Sequence, residues 1–527
     1  MSKATPPKIT YVTRSVDESI HPKYEAALKK FEEEGLGRRY PMHIGEEEVW
    51  SRAGEFVHRS PLDTAVVVGH FQKGVRSHAK QAIESAKEGF GIWSVKDWKE
   101  RVDIVNRAAD LIDQRKFDIA VVITYEVGKN RLEALAECWE AMDAIRLYSK
   151  IMHEKRGYVE NTGPGGPGEA CKVFAKPLGV WPVISPFNFP FMLANGMALG
   201  ALITGNSVIL KPTSEAPLTG LCLYKVFRDA GVPAGVVNYV TGPGANFERE
   251  FVSNPDVAGI AFTGSREVGM RLYREFLGRQ PYPKPIVLEM GSKNPVIVTS
   301  SADLDKAAEG TVRAAFGYGG QKCSAASRVY VQSGVKEKFL QALSKRAAEV
   351  SVGDPRRKGV FMGPVINASA LEKFKQAVSE GKKDNGVLLS GGKVLRAGKL
   401  ARGYYASPTV MTGLPSDHRL FRDELFLPFV VVSEFDTLDE ALERVNDTDY
   451  GLTAGIFTKS SREIREFMDR AEFGVVYSNR GGGATTGAWP GPQSFTGWKA
   501  SGATGRGVGS SRYLLNFTRD QSQTVVS

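Results

Sequence analysis

Short apolar segments alternate along part of the chain with longer segments whose apolar positions recur at helical spacing. The apolar segments are rich in β-branched residues and occupy residues 178–185, 207–211, 236–240 and 259–262. The segments between them include residues 191–204 and 218–230, which have the three-to-four-residue apolar period of a helix. Strands that alternate with helices predict a parallel, doubly wound α/β sheet with a nucleotide crevice at the ends of its strands.

Helical spacing also predominates before this region. Residues 97–149 carry apolar side chains at positions such as Ile104 and Ala108, and we expect long helices that cover the sheet. The charged run at residues 23–39 predicts a solvated helix. The glycine- and proline-rich residues 161–168 predict a loop, and they lack the lysine-serine ending of a phosphate-binding loop.

The composition is that of an ordinary globular enzyme. The chain has 527 residues, of which 42% are hydrophobic, and this suits two or three domains with large cores. The formal charge of +10 is modest for this length, and no basic cluster is interleaved with aromatic residues, so we expect no nucleic-acid partner. No apolar run resembles a signal peptide or a membrane span, and we expect no membrane partner.

The four cysteines are Cys138, Cys171, Cys222 and Cys323. They are scattered and show no C-x-x-C spacing, so neither a disulfide scaffold nor a cysteine metal site is expected. The seven histidines are dispersed as well, and no metal is predicted. A reducing cytoplasm is the expected location.

One of these cysteines lies in a setting that suits a nucleophile. Cys323 follows the glycine-rich residues 317–320 and precedes Ser324 and two alanines. A thiolate that attacks a carbonyl needs close approach by the substrate and a backbone N–H aimed at the developing oxyanion, and small neighbours allow both. A buried structural cysteine is the competing interpretation, but the neighbours lack the pattern of a core strand or helix face.

A carboxylate and an amide extend this set. Glu289 ends an apolar run a short way before Cys323, and Asn188 lies in a proline-bounded loop after the first predicted strand. A glutamate at a strand end is commonly a solvated or ion-paired group. Together, however, the three residues supply a nucleophile, a base and an oxyanion donor, which are the groups that acyl-transfer chemistry requires.

A candidate cofactor segment follows the fourth predicted strand. It consists of Phe262, Thr263, Gly264 and Ser265. Glycine permits a tight turn there, and Ser265 can cap the next helix, whose N-terminus would face a pyrophosphate. The spacing is G-x-x-x-x-G rather than G-x-G-x-x-G, so the segment also fits any strand-turn-helix. The turn that contains Gly244 indicates only a loop by itself.

In order and spacing, these motifs resemble those of the aldehyde dehydrogenase superfamily. The letters PFNFP at residues 186–190, LEMGSKNP at 288–295 and GQKC at 320–323 are similar to the oxyanion, general-base and nucleophile motifs of that family. The matches extend from residue 128 to residue 502. The resemblance implies NAD(P)-dependent oxidation of an aldehyde to a carboxylic acid, with Cys323 as the nucleophile, Glu289 as the base and Asn188 as the oxyanion donor.

The resemblance also implies the α/β aldehyde dehydrogenase fold. This fold has a Rossmann-like parallel-sheet cofactor domain, an α/β catalytic domain and a small β oligomerisation element. The implied division is an N-terminal arm with the first part of the cofactor domain (1–153), an oligomerisation hairpin (154–177), the NAD(P)-binding domain (178–288), the catalytic domain (289–498), and an oligomerisation strand and tail (499–527). The hairpin is expected to pair across subunits with a strand near residues 513–518, giving a homo-oligomer built from dimers.

For the cofactor, NAD or NADP, the resemblance implies a set of contacts spread along the chain. They are Ile184, Ser185, Pro186, Phe187, Lys211, Thr213, Ser214, Gly244, Phe262, Thr263, Gly264, Ser265, Glu289, Gly291, Glu424 and Phe426. Lys211 is expected at the adenosine ribose, and Glu424 and Phe426 at the nicotinamide ribose and ring. Ser214 stands where many NAD-preferring relatives carry a glutamate, so NADP should be accepted as well as NAD. Leu427 stands where glycine is usual.

The segment 486–502 resembles the substrate loop of one subgroup, the 1-pyrroline-5-carboxylate dehydrogenases, which act in proline catabolism. This resemblance implies that Ser324, Gly487 and Ala488 bind the α-carboxylate of glutamate γ-semialdehyde. It also implies that Phe495 covers the aliphatic chain of that substrate, which would be oxidised to glutamate.

Departures from the subgroup keep other functions open. The letters SFTG at residues 494–497 replace the usual PFGG, and Trp489 and Trp498 add bulk. A broad-specificity enzyme for aliphatic and aromatic aldehydes, with an aromatic-lined funnel, is therefore the alternative. A family member without activity, or one that transfers the acyl group to coenzyme A, has less support, because the nucleophile, the base and the oxyanion donor are all present.

Overall fold

The computed structural model of the protein describes residues 8–13, 17–482 and 489–526. Within these ranges, two large sheets flanked by helices and a smaller antiparallel sheet build the fold. The mixed α/β class and the parallel sheets agree with the prediction from the sequence.

The chain before residue 178 supplies helices that cover the first large sheet and several short strands. The expectation of long helices over residues 97–149 is confirmed. Asp97 caps the first of them by accepting from the Lys99 N–H, and that helix ends at Gly128, whose φ is 78°. The helix at residues 20–34 buries Tyr24 on one face, so it is solvated on the other face only. The elements are α1 (Ile20–Glu34), β1 (Arg38–Tyr40), β2 (Met42–Ile44), β3 (Glu47–Val49), β4 (Glu55–Arg59), β5 (Val67–Gln72), α2 (Arg76–Trp93), α3 (Trp98–Val127), α4 (Arg131–Glu154), β6 (Val159–Gly163) and β7 (Glu169–Pro177).

The next elements alternate strictly between strand and helix. They are β8 (Val180–Ser185), α5 (Met192–Ile203), β9 (Ser207–Pro212), α6 (Pro217–Ala230), β10 (Val237–Tyr239), α7 (Ala245–Ser253), β11 (Ile260–Thr263), α8 (Arg266–Arg279) and β12 (Ile286–Glu289). The sheet order is β12-β11-β8-β9-β10-β2-β3. The strands from β12 to β10 are parallel, while β2 and β3 add an antiparallel edge. The parallel, doubly wound sheet predicted from the alternating pattern is therefore confirmed.

The second large sheet has the order β15-β16-β17-β14-β13-β19-β20. Only the pairing of β15 with β16 is antiparallel among its neighbours. Its elements and the neighbouring ones are β13 (Asn294–Val298), α9 (Leu304–Phe316), β14 (Ala326–Gln332), α10 (Lys336–Ala348), α11 (Ala368–Lys383), β15 (Val387–Ser390), β16 (Thr409–Thr412), α12 (Arg419–Arg422), β17 (Phe429–Phe435), α13 (Leu438–Asn446), β18 (Tyr450–Gly451), β19 (Thr453–Phe457), α14 (Ser461–Arg470), β20 (Val475–Ser478) and β21 (Trp498–Lys499).

The third sheet corrects two expectations. Its last strand is β22 (Thr518–Val526), which pairs antiparallel with β7 of the same chain, whereas the sequence predicted a strand near residues 513–518. Tyr513–Phe517 instead forms a 3₁₀ turn, because its apolar side chains are buried in the main core. At the other edge of β7, β6 extends to Gly163, so the predicted loop begins three residues later than expected.

Large apolar clusters lie on both faces of the first sheet and of the second. Each sheet is covered by helices, which explains why its parallel strands are almost continuously apolar. No helix in the described part of the chain is long and apolar enough to cross a membrane.

Candidate active site

The segment that carries Cys323 follows an unusual backbone path. Tyr318, Gly319 and Gly320 all have positive φ, at 49°, 63° and 69°. A Cβ on Gly320 would lie 2.2 Å from the carbonyl oxygen of Leu427, so only glycine fits there. The Tyr318 hydroxyl donates to the carbonyl oxygen of Val127 at 2.6 Å and holds the turn. The glycines before Cys323 therefore allow the backbone of this segment to pack closely against the backbone at Leu427.

The carboxylate of Glu289 faces the thiol of Cys323. Glu289 ends β12 beside Thr263 of β11, and its Oε1 lies 3.9 Å from the Cys323 Sγ. Both residues are 8% exposed. Burial raises the pKa of Glu289 to about 8, and the nearby charge of Glu140 acts in the same direction. A carboxyl group with this pKa can accept and return a proton near neutral pH.

Burial raises the pKa of the Cys323 thiol well above its ordinary value, and the charges of Glu289 and Glu424 add to this effect. Backbone N–H groups of Cys323 and Ser324 act in the opposite direction. The thiol is therefore protonated at rest. A base must take its proton before or during attack on a carbonyl, and Glu289 is the carboxylate that faces the thiol.

Asn188 lies in the turn between β8 and α5 and is 3% exposed. Its Oδ1 accepts from the Phe189 N–H at 3.1 Å, and its Nδ2 makes no hydrogen bond with other described residues. The turn is held by Glu137, whose Oε1 accepts from the N–H groups of Phe191 and Met192 at 2.8 and 3.0 Å. The amide donor of Asn188 thus lies on a fixed turn, and none of the described residues accepts its N–H.

Asn188 and Cys323 line one cleft of about 410 Å³ at the carboxyl ends of the parallel strands. This is the position where open α/β sheets bind nucleotides. Most of the predicted cofactor residues line the same cleft, namely Ile184, Ser185, Pro186, Phe187, Lys211, Thr213, Phe262, Thr263, Gly264, Ser265, Gly291, Glu424 and Phe426. The sequence did not single out Lys373, Val268 and Met290, which line it too.

Three predicted cofactor residues lie elsewhere. Ser214 is partly buried beyond the end of β9, Gly244 is exposed at the start of α7, and neither lines the cleft. Glu289 lines a separate small cavity together with Phe495. That cavity places the predicted base next to one of the predicted substrate contacts.

The structure describes two of the four predicted substrate contacts, Ser324 and Phe495. Ser324 follows the nucleophile directly and is 4% exposed. Phe495 is partly buried and bonds through its N–H to the Val508 carbonyl oxygen at 2.9 Å. Gly487 and Ala488 lie outside the described residues.

The cleft has the chemical features of a dinucleotide site. Lys211 is 5% exposed, burial lowers its pKa to about 8, and it forms no ion pair with any described residue. Such a buried amine suits a ribose hydroxyl or a phosphate. Ser265 caps α8 by accepting from the Val268 N–H, as predicted, and this helix N-terminus opens on the cleft.

Glu424 and Phe426 reach the cleft although Leu427 replaces a glycine. Phe426 has a φ of 60° and stacks edge-on against Phe187, with the ring centroids 5.8 Å apart. Leu427 does not have a positive φ, so its position does not require glycine. Glu424 accepts from the Ser292 N–H at 2.7 Å, and a Cβ on Gly291 would lie 2.4 Å from its Oε2.

Several charged residues behind the site were not predicted. Glu133, Glu137 and Glu140 follow one another at helical spacing along the largely buried α4. Glu133 pairs with Lys322, the residue before the nucleophile, and Glu137 pairs with Lys129 inside the core. Carboxylates that recur at helical spacing among apolar side chains are a signal that the sequence carried, because buried acids need partners.

These features define the class of the protein. A thiol, a carboxylate and an amide meet at the edge of a nucleotide-binding type of sheet, which is the arrangement of a dinucleotide-dependent enzyme with a cysteine nucleophile. The sequence model of the aldehyde dehydrogenase family matches residues 50–523. The chain belongs to this family, and it is therefore an NAD(P)-dependent oxidoreductase.

Individual relatives are similar over nearly their whole length. The 1-pyrroline-5-carboxylate dehydrogenase of Geobacillus sp. (strain WCH70) is 36% identical over 505 residues, or 95% of each chain. The structure of 1-pyrroline-5-carboxylate dehydrogenase from Thermus with bound NAD has a TM-score of 0.93 and 35% identity over 100% of both chains. The betaine aldehyde dehydrogenase of Staphylococcus aureus in complex with NAD+ has a TM-score of 0.88 and 26% identity, covering 95% of this chain and 97% of that one.

Proposed function

We propose that this protein oxidises L-glutamate γ-semialdehyde, the open form of pyrroline-5-carboxylate, to glutamate with NAD or NADP. The observation that carries the chemistry is the 3.9 Å separation of the Cys323 Sγ and the Glu289 Oε1 beside a cleft that Asn188 also lines. The similarity to enzymes named 1-pyrroline-5-carboxylate dehydrogenase, over 95% of the chain, supports the substrate.

In the first half of the proposed reaction, Glu289 takes the thiol proton and the Cys323 Sγ forms a bond to the aldehyde carbon. The oxygen of the thiohemiacetal receives hydrogen bonds from the Asn188 amide and the Cys323 N–H. NAD(P)+, when bound, supplies the two-electron acceptor for the hydride of that carbon. The cleft at the strand ends, with Lys211 and the Ser265 cap, supports binding of this cofactor.

In the second half, Glu289 first releases the thiol proton to solvent and then deprotonates a water molecule that attacks the thioester on Cys323. The carbon–sulfur bond breaks, the carboxylic acid leaves, and the thiol regains its proton. A base whose pKa burial raises to about 8 suits both proton transfers. The presence of this base beside the thiol favours release of an acid over transfer to coenzyme A.

The two charged groups of the substrate, its α-carboxylate and its α-ammonium, need separate partners in the site. We propose that Ser324 binds the α-carboxylate together with Gly487 and Ala488, which lie outside the described residues, and that Phe495 covers the aliphatic chain. The α-ammonium group needs a negative partner. Glu140 is the candidate, because its charge is close enough to raise the pKa of Glu289.

We also propose roles for the residues of the cofactor cleft, with Lys211 at the adenosine ribose and Glu424 and Phe426 at the nicotinamide side. Acceptance of NADP is supported by a serine, rather than a glutamate, at position 214. Contacts of Ser214 and Gly244 with the cofactor stay predictions from the resemblance, since neither residue lines the cleft. The division of the chain at residues 153, 177, 288 and 498 remains part of this proposal and is supported by the separate sheets.

A homo-oligomer built from dimers is the proposed assembly. The sheet of β6, β7 and β22 is exposed along most of β22, so its surface is available to a second copy of the chain. Sedimentation of the protein with and without residues 519–527 tests this assembly, since loss of β22 should weaken it. All four cysteines are unpaired, which supports the proposed location in a reducing cytoplasm.

The competing function is a broad-specificity aldehyde dehydrogenase. Tyr11, Phe189 and Trp489 pack together near Asn188, and such aromatic walls also suit aliphatic and aromatic aldehydes. Initial rates with pyrroline-5-carboxylate, hexanal and benzaldehyde, each with NAD and NADP, separate the two. The proposal expects by far the highest kcat/KM for pyrroline-5-carboxylate, whereas equal or higher values for the simple aldehydes would contradict it. Cys323→Ala serves as the blank.

A further inference from the structure

The first described residues of the chain, 8–13, lie against the catalytic region. Ile9 is buried in the main core, and Lys8 pairs with Asp143 of α4. The Lys8 ammonium also lies 4.3 Å from the ring centre of Trp489, whose Nε1 donates to the Asp143 Oδ2 at 2.6 Å. These contacts fix the N-terminal segment between α4 and Trp489 of the predicted substrate loop.

Tyr11 contacts residues that adjoin the reacting groups in the chain. Its ring meets the ring of Phe189 edge-on, with centroids 5.5 Å apart, and the ammonium of Lys322 lies 5.3 Å from its centre. Phe189 follows Asn188 in the chain, and Lys322 precedes Cys323. Tyr11 therefore contacts the immediate neighbours of two of the three proposed catalytic residues.

The Tyr11 hydroxyl donates to the Oε2 of Glu140 at 2.6 Å. This is the only hydrogen bond of the Glu140 carboxylate within the described residues. The charged groups that interact with Glu140 include the carboxylates of Glu137 and Glu289 and three cations, Lys8, Lys129 and Lys322. Without the tyrosine, electrostatic attraction alone would hold this carboxylate, and attraction to several separate cations does not fix one orientation.

Tyr11 also borders open space. It lines a cavity of about 450 Å³ together with Glu133 and Arg131. The other side of Tyr11 packs against the main core. Neither Glu140 nor the three proposed catalytic residues line this cavity, so it is separate from the site where the aldehyde would react.

We propose that residues 8–13 form part of the aldehyde site and that Tyr11 is a positioning residue, which holds the Glu140 carboxylate toward the amino group of the substrate. This inference rests on the proposed function, because it requires a substrate that carries an ammonium group. It adds a structural role for the N-terminal segment, which the sequence pattern indicated only as an arm that packs on the fold.

The test compares two aldehydes that differ only in the amino group, glutamate γ-semialdehyde and 5-oxopentanoate. Tyr11→Phe removes the hydroxyl and keeps the ring. We expect its KM for glutamate γ-semialdehyde to rise about 10-fold, since a hydrogen bond to a charged group is lost, while its KM for 5-oxopentanoate changes less than about 2-fold. Tyr40→Phe is the matched control, because Tyr40 is also partly buried and its hydroxyl bonds to the Gly35 carbonyl oxygen away from the site.

A second pair of variants shows whether Tyr11 acts through Glu140. In a Glu140→Gln background, adding Tyr11→Phe should change the KM for glutamate γ-semialdehyde by less than about 2-fold. An equal rise for both aldehydes, or an undiminished rise in the Glu140→Gln background, would overturn the inference. The wild-type protein tests the proposed function separately. Equal kcat/KM values for the two aldehydes would show that the enzyme has no preference for the amino group.

Discussion

The Nδ2 of Asn294 donates to the carbonyl oxygen of Cys323 at 2.7 Å and thereby links the strand after the base to the segment that carries the nucleophile. The same Nδ2 donates to the Ala325 carbonyl oxygen at 2.9 Å, and the Oδ1 accepts from the Thr453 N–H at 3.0 Å. Asn294 is 1% exposed. One buried amide therefore fixes the backbone on both sides of Ser324.

Replacing Asn294 with alanine should disturb this segment. Buried backbone groups would lose their partners, so we expect the free energy of unfolding to fall by roughly 2–4 kcal/mol and kcat/KM to fall at least about 10-fold. Urea unfolding and steady-state rates measure the two effects. Asn446→Ala is the matched control, because Asn446 also bonds two backbone groups but lies at the end of α13. An Asn294 variant with unchanged rates would show that the amide does not position Cys323.

The hydrolysis of the acyl-enzyme should depend on pH through Glu289. Burial raises the pKa of this carboxyl group to about 8, and only its ionised form accepts a proton from water. The rate of acid formation in a single turnover, followed by rapid quench, should therefore rise with pH and level off above about pH 8. Glu140→Gln removes a like charge, so it should move the inflection to lower pH. An inflection that stays in place in this variant would contradict the electrostatic account.

Lys211 should govern cofactor affinity. Lys211→Ala removes the cation from the cleft, and we expect KM to rise about 10-fold for NAD and more for NADP, whose 2′-phosphate carries extra charge. Burial lowers the pKa of Lys211 to about 8, so the wild-type KM for NADP should also rise as the pH passes above this value and the ammonium loses its proton. Lys172→Ala on the exposed face of β7 is the control. Unchanged cofactor KM in Lys211→Ala would place the ribose elsewhere.

The fold followed from the sequence because its signals are local. The strands β8, β9, β10 and β11 lie within two residues of the predicted apolar runs, and Ser265 caps the helix that it was expected to cap. The position that the resemblance implied for the C-terminal strand, near residues 513–518, was wrong. The apolar side chains of Tyr513–Phe517 pack in the main core as a 3₁₀ turn, and the polar residues after them form the strand. Polarity alone does not distinguish an exposed edge strand from a tail.

Contacts between segments that are far apart in the chain could not be predicted from such local signals. Lys322 pairs with Glu133 of α4, and Tyr11 bonds to Glu140 of the same helix, although these partners are far apart in the chain. No local pattern joins the N-terminal segment to that helix. Cys323 and Glu289 carry strong local motifs, and they could therefore be found from the sequence.

The central claim is that Cys323 carries the acyl group and that Glu289 releases it. The most direct measurement is intact and peptide mass spectrometry of Glu289→Gln after reaction with pyrroline-5-carboxylate and NAD, combined with the amplitude of NADH formation. The account predicts that Glu289→Gln forms NADH more slowly than the wild type, because the thiol has lost its base, and stops after about one NADH per chain, with one acyl adduct on the peptide that contains Cys323, absent from Cys323→Ala. Sustained turnover of Glu289→Gln, or an adduct on another residue, would contradict it.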